Sequence, residues 1–218
     1  MRAPPQSPAD ADWSRALEAG AAELGTPLTE AARRQLEAFV PLLLRWNRVY
    51  NLTAIEEPSE IVTRHLLDSL AVLPWLEGSR ALDVGSGAGF PGIPLAIARP
   101  QMHITLLDSR EKRVRFLRQA VSELGLPRVE VVLARVEQYR GVDAFDSVLA
   151  RAFSSLADLV VGVGPLCAPG GVVLAMKGVY PAEELADPAL AAYAAEVTRL
   201  QVPGLAAERH MVRLRAPT

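Results

Sequence analysis

Residues 80–108 read RALDVGSGAGFPGIPLAIARPQMHITLLD, and this stretch decides the fold. It contains a short apolar strand, a glycine-rich loop that starts at Asp83, a helical stretch and a second apolar strand that ends at Asp108. Three more apolar runs of strand length follow along the chain, VEVVLA, FDSVLA and GGVVLAMKG. Strands that alternate with helices at this spacing predict a parallel, doubly wound α/β sheet with helices on both faces.

The sequence on either side of this core extends the prediction. Apolar residues recur at helical spacing over residues 13–24, 29–49 and 59–72. We therefore expect an N-terminal helical extension over 1–79 and a Rossmann-like domain over 80–218. After Pro181, the segments VTRLQV and HMVRLR predict an antiparallel edge on an otherwise mostly parallel sheet.

Composition narrows the class of protein. Half of the 218 residues are hydrophobic and 22% are charged, which favours a packed globular chain over a disordered one. Cys167 is the single cysteine and there are three histidines, so we expect no disulfide, no metal site and a reducing, cytoplasmic location. We also expect no secretory signal and no membrane span.

The glycine loop, Asp83 to Gly92, lies where doubly wound folds bind cofactors. A dinucleotide fingerprint that starts at Gly85 fails, because its third glycine falls on Phe90. A start at Gly87 satisfies the spacing, but two prolines then crowd the turn. The acidic start D-x-G-x-G-x-G is instead typical of methyltransferases that bind S-adenosylmethionine.

Asp108 ends the second strand and can accept hydrogen bonds from ribose hydroxyls in either cofactor class. It therefore predicts an adenosine ligand without choosing between the classes. A purely structural turn is the alternative interpretation of this loop.

The resemblance becomes specific over residues 46–178. The segments WNRVYNLTAI, RHLLDSL, GSGAGFPGIPLAI, LLDSREKRVRFL, ARVEQY, LARAF and AMKG occur in the order found in the bacterial ribosomal RNA small subunit methyltransferase G family, also called glucose-inhibited division protein B. The chain resembles that family closely. The resemblance implies a class I S-adenosylmethionine-dependent methyltransferase fold.

The family's cofactor contacts carry over onto matching positions of this chain. The resemblance implies that Gly85 and its loop contact S-adenosylmethionine, that Phe90 closes over it and that Arg151 binds it. It also implies that Val136 and Glu137 flank the adenine, although the family commonly has alanine where this chain has Val136. With Asp108 added on physical grounds, the predicted cofactor-binding residues are Gly85, Gly87, Gly89, Phe90, Asp108, Val136, Glu137 and Arg151.

The resemblance further implies methyl transfer to N7 of a guanine in 16S ribosomal RNA, guanine 527 of the small subunit. Because N7 carries a free lone pair and no proton, attack on the methyl group needs no general base. The chain must align the reacting atoms and tolerate the positive charge that they share. We therefore assign no catalytic residue from the sequence.

Several polar residues are candidates for holding the RNA. His65 and Asp68 are three positions apart, so on a helix they share one face; they bind the guanine edge or, alternatively, tie the helices to the sheet. Asn51 binds the base or caps a turn. Lys177 follows the fifth strand and meets RNA phosphate or is simply solvated.

A basic cluster lies at the start of the helix after Asp108. On a helical wheel, Lys112 and Arg115 point away from its apolar stripe. This face is a phosphate-contact surface or an ordinary solvated one, and Arg64 would extend it. The net charge of −2 gives the chain no overall attraction to RNA, so such a local cluster would have to supply it.

The predicted partner is 16S ribosomal RNA or the small ribosomal subunit, and we expect a monomer. Two other functions fit the same fold. A small-molecule methyltransferase would methylate metabolites but no ribosomal particle, and a sensing module would bind S-adenosylmethionine without turnover. A nicotinamide-dependent dehydrogenase is the interpretation that the loop favours least.

Overall fold

The protein contains a seven-stranded sheet with strand order β3-β2-β1-β4-β5-β7-β6. The computed structural model describes residues 8–141, 144–151, 153 and 155–217, and side chains from residue 12 onward within these ranges. The strands are β1 (Arg80–Val84), β2 (His103–Asp108), β3 (Val129–Leu133), β4 (Phe145–Arg151), β5 (Cys167–Lys177), β6 (Ala194–Leu200) and β7 (Arg209–Arg215).

Strands β1 to β5 are parallel, and β7 is inserted antiparallel between β5 and β6. The predicted fold class and the predicted antiparallel pairing near the sheet edge are confirmed. Because β7 runs against β5, its first residues lie beside the carboxyl end of β5, with His210 opposite Lys177.

Helices cover both faces of this sheet. The helices are α1 (Pro8–Glu23), α2 (Glu30–Tyr50), α3 (Pro58–Ile61), α4 (Asp68–Leu70), α5 (Gly92–Ala98), α6 (Glu111–Glu123), α7 (Leu156–Val163) and α8 (Ala182–Leu185). Short 3₁₀ turns lie at Leu73–Trp75, Val136–Gln138, Gly164–Leu166 and Pro188–Leu190. One buried cluster joins α1 to α6 with one face of the sheet, and a second joins α7 with the other face.

The long helix α2 explains how the N-terminal part packs on the sheet. The Thr29 side chain caps it by accepting a hydrogen bond from the Ala32 N–H (3.2 Å). The helix continues through Pro41, and Phe39 on its buried face contacts the rings of Phe90 and Phe116. The predicted division at residues 79 and 80 stays a prediction, and β1 starts at Arg80.

The predicted helix from Ser59 to Val72 differs from the observed one. The structure has a π-helix over Val62–Leu67 between α3 and α4. In a π-helix the backbone hydrogen bonds join residues five apart, against four apart in an α-helix. Residues 65–70 are all buried, so this part of the helix has no solvent-exposed polar face. The predicted helix is confirmed over 58–70, two residues short of its predicted end, and its middle part is a π-helix.

Among the described residues, no helix is both long and apolar enough to cross a membrane.

Candidate active site

The glycine loop forms the turn between β1 and α5. Gly85, Gly87 and Gly89 have φ angles of +72°, +58° and +88°, in the left-handed region that favours glycine. The Gly85 N–H donates to the Leu107 carbonyl of β2 (2.8 Å), which fixes the loop at the carboxyl edge of the sheet. No atom lies within 4 Å of the place where a Gly85 side chain would start, so the backbone faces open space.

A cavity of about 300 Å³ lies beside this loop, and we call it the cofactor cavity. It brings together four of the predicted cofactor-binding residues, Gly85, Asp108, Val136 and Glu137. Phe153, after β4, also lines it and was not predicted. The cavity spans the carboxyl ends of β1 and β2 and the segment after β3, the position where doubly wound sheets bind nucleotides.

Asp108 organises the rim of the cofactor cavity. Its carboxylate accepts hydrogen bonds from the Gly87 N–H (2.9 Å) and the Arg110 N–H (2.8 Å). Arg113 contributes an ion pair at 3.3 Å. Each carboxylate oxygen can accept more than one hydrogen bond, so Asp108 retains capacity for a ribose hydroxyl.

The two carboxylate oxygens of Asp83, at the start of the glycine loop, differ in their hydrogen-bond partners. Its Oδ2 accepts from the Gly92 N–H (3.0 Å), whereas Oδ1 is buried and has no hydrogen-bond partner among the described residues. The Ser86 hydroxyl donates to the main-chain carbonyl of Asp83 and not to its carboxylate. Burial raises the pKa of Asp83 to about 6. Asp83 lines neither cavity, so its unpartnered oxygen is a candidate contact only for a ligand group that reaches past the glycine loop.

A second cavity, of about 350 Å³, lies at the same edge of the sheet, and we call it the acceptor cavity. Four of its lining residues are cationic, namely Arg64, Arg151, Lys177 and Arg209. It spans the carboxyl ends of β4 and β5 and the start of β7. The two cavities share no lining residue, but both reach the end of β4, where Arg151 lines the acceptor cavity and Phe153, two residues later, lines the cofactor cavity.

Asp68 holds the acceptor cavity together. Its carboxylate, 1% exposed, pairs with Arg209 (2.9 Å) and Arg151 (3.5 Å). Burial raises the pKa of Asp68, and the two guanidinium groups oppose that rise. Asp68 therefore ties the helical segment to β4 and β7 through charge, and His65 adds a longer contact between its Nδ1 and the Arg151 guanidinium (3.4 Å). Arg209 was not among the predicted site residues, because the predicted pairing of the last two strands does not say which of them lies beside β5.

His65 is neutral in this environment. Nδ1 lies 2.9 Å from the Arg64 carbonyl and 3.4 Å from the Arg151 guanidinium, and Nε2 lies 2.9 Å from the Thr53 hydroxyl. Because the carbonyl contact of Nδ1 is the shorter one, the pattern suits an Nδ1–H tautomer with Nε2 as acceptor. Burial, reinforced by the charge of Arg151, lowers the pKa of His65 to about 4.

Phe90 packs against two residues that line the acceptor cavity, His65 and Arg151. The Phe90 ring stacks on His65 with ring centres 4.5 Å apart, and the Arg151 guanidinium lies 5.5 Å from the Phe90 ring centre. Phe90 is buried and lines neither cavity. The predicted contacts of Phe90 and Arg151 with S-adenosylmethionine therefore stay predictions.

The remaining predicted residues lie in three places. Asn51 is the C-terminal cap of α2, with a φ of +49°, and lines neither cavity. Lys177 lines the acceptor cavity and pairs with Glu184 at 2.8 Å. Lys112 and Arg115 are exposed on the first two turns of α6, where Arg115 pairs with Glu111. Among the described residues, no cluster of three or more acidic, histidine or cysteine side chains could hold a metal ion.

The sequence as a whole decides between the classes of nucleotide-binding enzyme. The profile of the rRNA small subunit methyltransferase G family matches residues 32–212. The chain belongs to this family. The predicted family and enzyme class are confirmed, and so is S-adenosylmethionine as the cofactor, because the family depends on it.

Individual relatives agree over nearly their whole length. The chain is 50% identical over 202 residues to the ribosomal RNA small subunit methyltransferase G of Alkalilimnicola ehrlichii, covering 93% of this chain and 92% of the relative. It is 51% identical over 199 residues to the protein of that name from Methylococcus capsulatus, covering 91% and 97%.

Solved structures share the fold at low identity. The N-methyltransferase NodS from Bradyrhizobium japonicum, in complex with S-adenosyl-L-homocysteine, superposes with a TM-score of 0.55 at 18% identity, covering 81% of this chain and 99% of NodS. A predicted O-methyltransferase from Agrobacterium tumefaciens gives the same TM-score at 24% identity, covering 70% and 80%. These likenesses establish the class I methyltransferase fold.

Substitution of Gly85 tests the cofactor cavity. We expect Gly85→Asp to lower S-adenosylmethionine affinity at least tenfold in calorimetry, because the side chain would project into the space that the ligand needs. Gly125→Asp is the matched control, since Gly125 has a similar φ of +62° and equally open surroundings but lies outside both cavities. Equal losses in the two variants would attribute the effect to backbone strain and contradict the placement of the cofactor.

The lowered pKa of His65 predicts how stability depends on pH. Protonation is disfavoured in the folded state, so the stabilisation is present above the ordinary pKa of about 6.5 and is lost as the pH falls towards 4. Between pH 7 and pH 5, wild type should lose about 2 kcal/mol more unfolding free energy than His65→Gln, from the linkage of one proton. Urea unfolding at both pH values measures this difference, and equal losses would show that His65 titrates normally.

Proposed function

We propose that this chain transfers a methyl group from S-adenosylmethionine to N7 of one guanine in 16S ribosomal RNA, the guanine at position 527. The observation that carries the proposal is membership of the rRNA small subunit methyltransferase G family over residues 32–212, joined to a cation-lined cavity beside the cofactor cavity.

The cofactor cavity would hold the methyl donor. S-adenosylmethionine, when bound, supplies an activated methyl group on a sulfonium. Gly85 offers unobstructed backbone, Asp108 offers carboxylate oxygens for the ribose, and Val136 and Glu137 lie where the adenine would be flanked. Asp83, with its unpartnered Oδ1, is suited to accept from the amino group of the ligand.

The acceptor cavity would hold the guanine. Guanine presents two acceptors on one edge, O6 and N7, and arginine donors commonly bind them. Because N7 must stay free to react, the guanidinium groups of Arg151 and Arg209 are better suited to O6, and Arg64 and Lys177 to phosphate. Asp68 fixes both guanidinium groups through its buried carboxylate, so these donors are positioned before the RNA arrives.

The chemistry assigns no proton transfer to His65. N7 has a lone pair and no hydrogen, so no base is needed. A neutral His65 also adds no further positive charge to a cavity that already contains three arginines and a lysine. His65 is therefore suited to packing and orientation, through its stack on Phe90 and its hydrogen bond with Thr53.

A basic face would guide the RNA to this edge. Helix α6 starts after β2 at the carboxyl edge, so Lys112 and Arg115 lie on the same side of the molecule as both cavities. These side chains are exposed and suited to phosphate contacts. We also propose a cytoplasmic location, where small ribosomal subunits occur, and a monomeric protein.

Methyl transfer tests the proposed function directly. Purified chain with labelled S-adenosylmethionine should methylate small subunits, or their RNA, from cells that lack this modification. Cleavage chemistry specific for 7-methylguanine should report a single position. Incorporation into another base, or into metabolites but not RNA, would overturn the assignment. Naked RNA and assembled subunits, compared in parallel, identify the acceptor.

Charge reversal tests the RNA surface. We expect Lys112→Glu with Arg115→Glu to weaken RNA binding about tenfold and to flatten its salt dependence, because phosphate contacts are lost. Cofactor affinity should not change. The control reverses Arg34 and Arg128, two exposed arginines towards the opposite edge of the sheet. If both double variants bind RNA equally, the α6 face is only a solvated one.

A further inference from the structure

Val179 and Tyr180, just after β5, form a small exposed apolar patch next to the acceptor cavity. Val179 is 72% exposed and Tyr180 is 56% exposed. They directly follow Lys177 and Gly178, which both line that cavity. Among the large hydrophobic side chains that are exposed in the described part of the chain, Tyr180 is the one aromatic residue.

The Tyr180 ring is supported from one side. It meets the His210 ring edge to face, with ring centres 5.9 Å apart and planes at 84°. His210 is buried on β7, directly opposite Lys177 in the strand register. The Tyr180 carbonyl accepts from the Ala182 N–H (3.1 Å), which forms a tight turn before α8. The contact of the exposed ring with the sheet is therefore its edge-to-face contact with His210.

We propose that Tyr180 is a stacking platform for the nucleotide next to the target guanine in the RNA. This inference rests on the proposed function, because it takes the acceptor cavity as the place of the guanine. A base that neighbours one held in the cavity has to leave over its rim, and an exposed aromatic ring is the surface on which unpaired bases stack.

Charge and size favour an RNA base over a protein partner. The cavity beside the ring is lined by Arg64 and Lys177, which suit a phosphate backbone. Two adjacent side chains form a far smaller apolar surface than a protein interface requires. The position is also separate from the exposed basic residues of α6, so the platform would contact a different part of the RNA.

Three variants test the platform by RNA affinity. Tyr180→Ala should weaken binding of an RNA fragment that contains the target guanine about tenfold and should raise KM for that RNA, with kcat and cofactor affinity within twofold of wild type. Tyr180→Phe should retain wild-type affinity, because the ring is kept. Val161→Ala removes an apolar side chain of α7 that is more exposed than Tyr180 (71% against 56%) and serves as the control. Unchanged RNA affinity in Tyr180→Ala would overturn the proposal.

Photochemical cross-linking gives a readout that needs no turnover. RNA fragments with 5-iodouridine at either neighbour of the target guanine are irradiated with the wild-type protein, and the linked peptide is identified by mass spectrometry. A link to Tyr180 that is lost in Tyr180→Leu supports the platform, whereas links only to other residues overturn it. If methyl transfer to RNA fails while these links form, the proposed function is wrong and the platform is not.

Light scattering identifies the competing occupant. If wild type is a dimer and Tyr180→Ala is a monomer with unchanged RNA affinity, the apolar patch of Val179 and Tyr180 is a contact between two copies of the chain. That result overturns the proposal. If wild type and Tyr180→Ala have the same molar mass and the variant binds RNA more weakly, the stacking proposal is supported.

Discussion

The buried carboxylate of Asp68 is the interaction on which the acceptor side of the molecule depends. It joins three segments that are distant in sequence, because it lies on α4 and pairs with Arg151 of β4 and Arg209 of β7. An unpaired charge at this depth would be very costly, so each of the three groups constrains the other two. Such a cluster is weak evidence for stability but strong evidence for fixed geometry. A methyl transfer that depends on alignment requires fixed geometry more than it requires an acid or a base.

The same arrangement explains why the N-terminal helices accompany the sheet. A class I methyltransferase sheet offers a cofactor cavity at its carboxyl edge, but Arg64, His65 and Asp68 come from the helical segment that packs beside that edge. Phe39 on α2 contacts Phe90 in the glycine loop, and Phe90 stacks on His65. The cofactor loop and the acceptor cavity are thus linked by a continuous set of aromatic contacts. The two cavities share no lining residue, so Phe90 connects them through packing and not through a common contact.

The fold could be predicted from local patterns, whereas part of the site could not. Each strand of the parallel sheet is a short apolar run, and the glycine loop is a short motif, so both can be recognised from neighbouring residues. The cofactor cavity is lined mainly by residues in or next to these segments. The π-helix over Val62–Leu67 depends on tertiary burial that no local periodicity expresses. Arg209 was missed because its role comes from strand order: only the insertion of β7 beside β5 brings it to Asp68. Lys177 likewise pairs with Glu184 because the chain turns back after β5 and brings α8 to the end of that strand, which the sequence separation of the two residues does not predict.

The strand order also has a consequence for synthesis. All residues that line the cofactor cavity lie between Val84 and Phe153, whereas those of the acceptor cavity extend from Ile55 to Arg209. A nascent chain that has emerged only as far as β5 therefore already contains every residue of the nucleotide-binding half. The acceptor half is complete only after β7 has emerged and inserted between two strands made before it. During translation the residues that line the cofactor cavity are therefore all synthesised before the last residue of the acceptor cavity.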